Sequence, residues 1–449
     1  MTRARFSEHA RQTVHISMGA FALLLRYLTW WEAAIMAGLA LFFNVHTLPR
    51  IGGVRLFRPS EIARGSPPGI ILYPFSVALL LLLFPGRMDI VAAAWGILAV
   101  GDGMATVVGT LVGGPRIPWN RHKTVAGSVA LAALGGAAGA FLAWWCRERI
   151  VPAPYLWYSL GVPFLAAAAA AAVETIPVRL DDNVSVPATA AGAMWVFSLV
   201  SEDLAAALWQ SAWVSLPPAL GLNVAAAAAG YAARTVSLSG AVCGAVIGTA
   251  IFVFLGLEGW ILLMAAFLAA AVTSRVGLRR KVRLGIAEER GGRRGAGNAI
   301  ANTGVSTIAA LMAVLTYAHD ASSVAFVAAM TAGSSDTIAS EIGKAWGRST
   351  WLLTSLRRVP PGTSGAISLE GSVAGLLGAC VFAGAGVGLG LIPGSAVLPV
   401  IAGATLGSMV ESALGATLEA PGVLNNDLLN FINTGVAAAT AVLLAGVIL

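Results

Sequence analysis

Four stretches of this chain, 93–112, 125–145, 156–173 and 239–254, run almost without charge through alanine, valine, leucine and glycine. A helix that crosses a membrane needs roughly 20 consecutive apolar residues. Of the 449 residues, 57% are hydrophobic and only 11% charged, against about 25% charged in soluble domains. So little charge cannot cover a water-facing surface of this size, so lipid is the solvent. In lipid the backbone must satisfy its own hydrogen bonds. The expected fold is therefore an all-α polytopic transmembrane bundle, with about 15 spans when apolar runs and basic loops are read together.

Charge orients the bundle. The net charge of +7 reads as basic loops held on the inner side rather than as a nucleic-acid surface. With the N-terminus inside, 24 of the 28 Lys and Arg residues fall on inner segments, and Arg26, Arg87, Arg147 and Arg149 remain outside. The inner loops include 49–65 with Arg50, Arg55, Arg58 and Arg64, and 275–297 with Arg279, Arg280, Lys281, Arg290 and the acids Glu288 and Glu289. The first residues, with Arg3, Arg5 and Arg11, are basic and amphipathic and lack a small-residue cleavage site. An uncleaved first span in a bacterial inner membrane is expected. Cys146, Cys243 and Cys380 are isolated, so spacing suggests neither a zinc site nor a disulfide framework.

Two carboxylates stand where lipid is expected. Asp102 interrupts an apolar run, and Asp336 does the same. Such groups are costly in a span and usually face a cavity or a partner; an interhelical polar clasp and a ligand site both account for them. Their surroundings repeat. GDGMATVVG and SDTIASEIG both read Asp-x-x-x-[Thr/Ser]-x-x-Gly, and Gly127-Ser128-Val129-Ala130 recurs as Gly371-Ser372-Val373-Ala374. Asp102 and Gly127 are 25 residues apart and Asp336 and Gly371 are 35 apart, so the second loop carries ten more residues. The aspartates fall on the fourth and twelfth expected spans, an even offset, which implies two related modules in parallel orientation.

Each aspartate run leads into a loop suited to an anion. The first supplies Arg116, Asn120, Arg121, His122, Lys123 and Thr124; the second supplies Lys344, Arg348, Arg357 and Arg358 before PPGTSGAISLEGS. Glycines, hydroxyls and amides opening a helix suit phosphate oxygens, and Asp102 and Asp336 can hold Mg²⁺ as hard oxygen ligands. No P-loop motif is present. A third polar group follows in each half: Glu174 with Asp181, Asp182 and Asn183, and Glu411 with Asn425, Asn426, Asp427, Asn430 and Asn433. Arg11 and His15 share a helix face, as do Asn298 and Asn302. Capping of wet helix ends accounts for Asp181, Asn425 and Asn426, and His46 and His319 read as incidental.

On Glu8-x-x-Arg11-x-x-x-His15, Gly101-Asp102, Pro118-Trp119-Asn120, Lys123-Thr124-x-x-Gly127-Ser128, Glu174 and Asp182-Asn183-x-x-x-Pro187, residues 1–215 resemble the phytol kinase and dolichol kinase family of CTP-using polyprenol kinases. Gln12, Gly103 and Ala126 depart from that pattern. Residues 230–449 resemble the membrane family that contains phytyl-phosphate kinase. That likeness rests on Ala301-Asn302, Asp336-Thr337-x-x-Ser340-Glu341-Ile342-Gly343, Val359-Pro360-Pro361-Gly362-Thr363-Ser364-Gly365, Ser368, Gly371, Glu411-Ser412-x-Leu414-Gly415-Ala416-Thr417, Asn430 and Asn433.

The resemblance implies a bifunctional enzyme at the cytoplasmic interface. The first module would convert an isoprenoid alcohol such as phytol to its monophosphate, and the second would convert that to the diphosphate, with CTP or ATP as donor and Mg²⁺ as cofactor. It implies that Asp102 and Asp336 bind the metal–nucleotide and that Lys123, Arg357 and Arg358 hold phosphates. Asn120, Thr124, Gly127, Ser128, Gly362, Thr363, Ser364, Gly365, Ser368 and Gly371 would assist. Glu174 or Asp182 would orient the alcohol, alongside His15 and Asn183. Glu341 or Glu411 would complete the second metal site, and Asn302, Asn430 and Asn433 would line its pocket. Rival readings are a single active module, a carrier or flippase for a phosphorylated lipid, and a cytidylyltransferase.

Overall fold

The computed structural model describes residues 8–50, 68–286, 293–419 and 421–446. Arg3, Arg5, Arg55, Arg58, Arg64, Arg290, Glu288 and Glu289 lie outside the described residues. The fold is helical, with only short strands, and divides into two compact units, Met1–Ser198 and Leu199–Leu449.

The first unit opens with α1 (Glu8–Met18) and a 3₁₀ segment over Gly19–Arg26. Helix α2 (Trp30–Phe42) begins at a capping box, where the Thr29 amide donates to Glu32 at 2.7 Å. Helix α3 (Pro68–Leu83) follows. Helix α4 (Met88–Leu111) is the core: Ile90, Val91, Ile97 and Leu98 are fully buried. It widens into a π-turn over Ile97–Asp102, a local distortion that often marks functional sites. A two-stranded hairpin, β1 (Arg116–Ile117) and β2 (Asn120–Thr124), leads into α5 (Val125–Arg149). Then come α6 (Leu156–Glu174) and α7 (Asp182–Ser198).

The second unit holds α8 (Glu202–Ala232), α9 (Leu238–Arg275), α10 (Leu278–Arg283), α11 (Ala296–Leu315) and α12 (His319–Trp346). A three-stranded sheet follows, β3 (Thr350–Leu352), β4 (Arg358–Val359) and β5 (Ala366–Ser368), in the order β4-β3-β5. The chain ends through α13 (Leu369–Gly388), α14 (Gly394–Glu419) and α15 (Asn426–Ala445). Helix α9 would be about 57 Å long if straight, far more than a bilayer core. It breaks at Gly256, whose φ of +67° is left-handed. Asn223 meets both limbs: it accepts from Trp260 Nε1 at 3.0 Å and packs against Gly248. A straight helix would hold those two residues about 18 Å apart, so the chain folds back at Gly256.

Among the described residues, nine helices are long and apolar enough to cross a membrane. The expected fifteen spans are not all matched by this measure. Helices α2, α3 and α7 are shorter than it requires, and α12, which carries Asp336, is too polar. The two limbs of α9 are counted once.

Candidate functional site

In the first unit, four elements bring their polar side chains to one place. Helix α4 supplies Asp102 at the end of its π-turn; α6 ends at Glu174; α7 begins at Asp182. One carboxylate oxygen from each lies within 4.8 Å of the others. From β2, the Lys123 ammonium reaches Glu174 at 2.5 Å and Asp182 at 2.8 Å. Burial works against its charge, yet Asp182 and Glu174 outweigh that cost and hold the Lys123 pKa above the ordinary lysine value. His15 approaches Asp102 at 3.5 Å and Leu98 O at 3.1 Å. Burial lowers its pKa despite that backbone hydrogen bond; because a carbonyl only accepts, Nε2 donates to Leu98 O. Asn183 packs at the start of α7, where Asp181 Oδ1 accepts from its amide at 3.0 Å and acts as the cap. The buried Asn183 Oδ1 and Ser128 Oγ have no partner among the described residues. Asn120 Oδ1 accepts from the His122 amide at 3.2 Å.

The second unit holds a cavity of about 620 Å³. Asp336 lines it from α12 and accepts from Ser408 Oγ on α14 at 3.2 Å. Glu411 stands one turn beyond Ser408, within hydrogen-bonding reach of Asp336. Its other partner is Asn433 Nδ2 at 2.7 Å. Asn302, Asn430 and Lys344 also line the cavity, as do Gly362, Thr363, Ser364, Gly365, Ser368 and Gly371. Ser364 donates to Glu419. Gly365 has φ of +70°, and an added Cβ would stand 2.3 Å from Ser412 O; only glycine lets this loop close on α14.

Four expected residues lie outside this lining. Asn433 is fully buried behind Glu411, to which it donates. Glu341 is buried between Lys281 at 2.5 Å and Lys344 at 3.0 Å. Arg358 lies over the Trp351 ring at 5.7 Å, and its neighbour Arg357 is exposed. Sequence reasoning missed Ser408, Glu419 and Lys281. Ser408 carried a signal, its one-turn spacing from Glu411; Lys281 was one basic residue among eight in its loop.

The two units share one construction. Thr124 caps α5 by accepting from the Gly127 amide at 3.1 Å, and Ser368 caps α13 by accepting from the Gly371 amide at 3.1 Å. A Cβ on Gly127 would stand 2.9 Å from Ala105 O, and one on Gly371 would stand 2.6 Å from Ala339 O. Both carbonyls belong to the third residue after the aspartate. The fourteenth residue after each aspartate pairs with the cap: Arg116 with Thr124, and Thr350 with Ser368. The longer second loop holds the additional strand β4.

Both carboxylate clusters fit a hard cation. Each offers converging oxygens on separate helices, and two carboxylates in contact repel unless they share a proton or a cation. Asp102, Glu174 and Asp182 form the one three-acid cluster of this kind among the described residues.

These features define a polytopic α-helical membrane protein with two buried carboxylate sites. The chain belongs to the family described as integral membrane protein DUF92, whose model matches residues 221–438. It is 36% identical over 204 residues to the uncharacterized membrane protein sll0875 of Synechocystis sp., covering 44% of this chain and 78% of that protein. It is 35% identical over 221 residues to Protein VTE6, chloroplastic, of Arabidopsis thaliana, covering 47% of this chain and 66% of that protein. It is 30% identical over 212 residues to Probable phytol kinase 3, chloroplastic, of Glycine max, covering 40% of this chain and 60% of that protein. The chain thus spans slightly under two thirds of each of these two plant relatives. No solved structure matches it.

Proposed function

We propose that this chain is a bifunctional isoprenoid alcohol kinase. The first unit phosphorylates the alcohol and the second phosphorylates the resulting monophosphate, each at the expense of a nucleoside triphosphate, CTP in our reading. The observation that carries this is the shared construction: an aspartate helix, a strand loop and a hydroxyl-capped helix beside a carboxylate cluster, built twice. Relatives named as phytol kinases support the substrate class.

Phosphoryl transfer needs mainly positioning and neutralisation of charge. In the first site Asp102, Glu174 and Asp182 would hold Mg²⁺; in the second, Asp336 and Glu411 would hold it. Bound there, the ion supplies positive charge to the triphosphate. Lys123 and Lys344 add fixed positive charge to the two sites. Amides at the starts of α5 and α13 are oriented to receive phosphate oxygens. Thr124 and Ser368 fix those turns, and His15 keeps a neutral donor beside Asp102. In each site the acceptor oxygen attacks the terminal phosphorus and the nucleoside diphosphate leaves; in the first the alcohol's proton passes to a nearby carboxylate, and in the second the acceptor is an ionised phosphate oxygen with no such proton to lose. In this reading both sites face the cytoplasm across a bacterial inner membrane, and the bias of Lys and Arg toward the loops supports that orientation.

The test supplies purified chain with Mg²⁺ and CTP or ATP, offers phytol and phytyl monophosphate separately, and follows products by mass spectrometry. Asp102→Asn is expected to lose alcohol phosphorylation alone, and Asp336→Asn to lose monophosphate phosphorylation alone. Failure of the wild-type chain on both substrates, with either nucleotide, overturns the reading. Loss of both activities in one variant leaves a single active module.

A further inference from the structure

Beside the polar cavity of the second unit runs an apolar trough of about 120 Å³. Its walls come from both limbs of α9: Gly240, Gly244 and Ile247 before the fold at Gly256, and Leu263, Phe267 and Ala270 after it. Helices α11 and α12 close it with Ala299 and Met330. Each limb contributes residues seven positions apart, so the trough runs about 10 Å by helical rise. It adjoins the cavity, because Arg294, Asn298, Asn302 and Thr337 line both. Away from that shared edge the lining is mostly apolar; the hydroxyls of Thr303 and Ser334 donate to carbonyls of their own helices.

We infer that this trough seats the first isoprenoid units of the phosphorylated lipid, and that Gly244 sets how well a branched chain fits. The inference rests on the kinase reading for its substrate class. A lipid tail gains nothing by leaving one apolar solvent for another, so the trough can select only by shape. Gly244, an exposed position on the open side of the trough wall, is where shape is left open: a Cβ there would meet nothing within 4 Å. Gly240, one turn earlier, has no such room, since a Cβ would stand 2.2 Å from Arg294 O. A methyl-branched chain needs a wall with a gap, and Gly244 supplies it beside Ile247.

The test uses full-length protein in nanodiscs, with isopentenyl monophosphate and geranyl monophosphate as probes. Equilibrium dialysis gives binding, and KM is measured beside it. In the wild-type chain the longer probe is expected to bind more tightly, because its second unit lies along the trough. Gly244→Leu is expected to weaken geranyl monophosphate by about ten-fold, the effect of forcing methylenes into a filled space, and to leave isopentenyl monophosphate unchanged. Gly244→Val gives a smaller change in the same direction and covers the case in which leucine impairs folding. Gly384→Leu, at an exposed position on α13 with equal room, should match the wild type.

Equal weakening of both probes by the Gly244 variants, or no weakening, overturns the assignment; so does failure of the wild-type chain to bind either probe. Chain-length-dependent binding that Gly244→Leu removes, in a protein that phosphorylates neither probe, upholds the trough and sinks the kinase reading instead.

Discussion

At the residue scale, Glu341 decides more by facing inward than it could in the cavity. It pairs with Lys281, which is 1% exposed and also donates to the carbonyls of Thr273 and Ser274. Glu341→Gln would strand a buried ammonium, and loss of one partner of such a pair costs about 3–5 kcal/mol. Thermal unfolding in detergent should show that loss. Replacing both residues together, Lys281→Met with Glu341→Leu, should recover most of it, since a packed apolar pair replaces a buried ionic one at little cost. Lys123 differs, because it stands in the carboxylate cluster proposed as the reacting centre of its unit. Lys123→Met is expected to lower alcohol phosphorylation on the order of a hundred-fold, with monophosphate turnover intact in the same assay. The raised pKa of Lys123 fixes the sign of its pH dependence. Its contribution is complete below the ordinary lysine pKa and fades only as pH rises through the higher folded value. Alkaline loss of the first activity should therefore begin above the pH at which a free lysine titrates.

At the element scale, the hydroxyl caps tie each strand loop to its helix. Thr124→Ala and Ser368→Ala should each lower stability by about 1 kcal/mol, the usual worth of an N-cap side chain, while Thr124→Ser and Ser368→Thr should keep it; chemical unfolding reads both. Much of this was legible in the sequence. Asp-x-x-x-[Thr/Ser]-x-x-Gly and Gly-Ser-Val-Ala are local requirements: glycine for close approach, a hydroxyl for the cap. Helical phase was the part left unread. Ser340 and Lys344 follow Asp336 at four-residue steps and share its face. Glu341 lies five residues on, roughly 140° around the helix, so counting turns it away from the cavity. The position of Lys281 depends on where a loop returns in three dimensions, and no local pattern carries that. Counting spans meets a related difficulty: hydrophobic runs mark helices well, but α12 is made polar by residues such as Asp336.

For the whole molecule, charge bias and helix content agree on a membrane protein, and the orientation proposed for it puts the basic loops inside. Single cysteines placed at Arg279 and at Arg348, in a background lacking the three natural ones, should react with an impermeant maleimide only after the inner face of the membrane is opened. Labelling from intact cells would reverse the orientation.

The pairing of each cap with the fourteenth residue after its aspartate separates length from architecture. Helix, strand partner and cap keep their places whether the intervening chain is short, as in the first unit, or ten residues longer, as in the second. The protein thus carries its own demonstration of a permissive graft point. A short peptide inserted between Ile117 and Pro118 is expected to be tolerated, giving a handle for an epitope or a fluorophore next to the first carboxylate cluster without moving its floor.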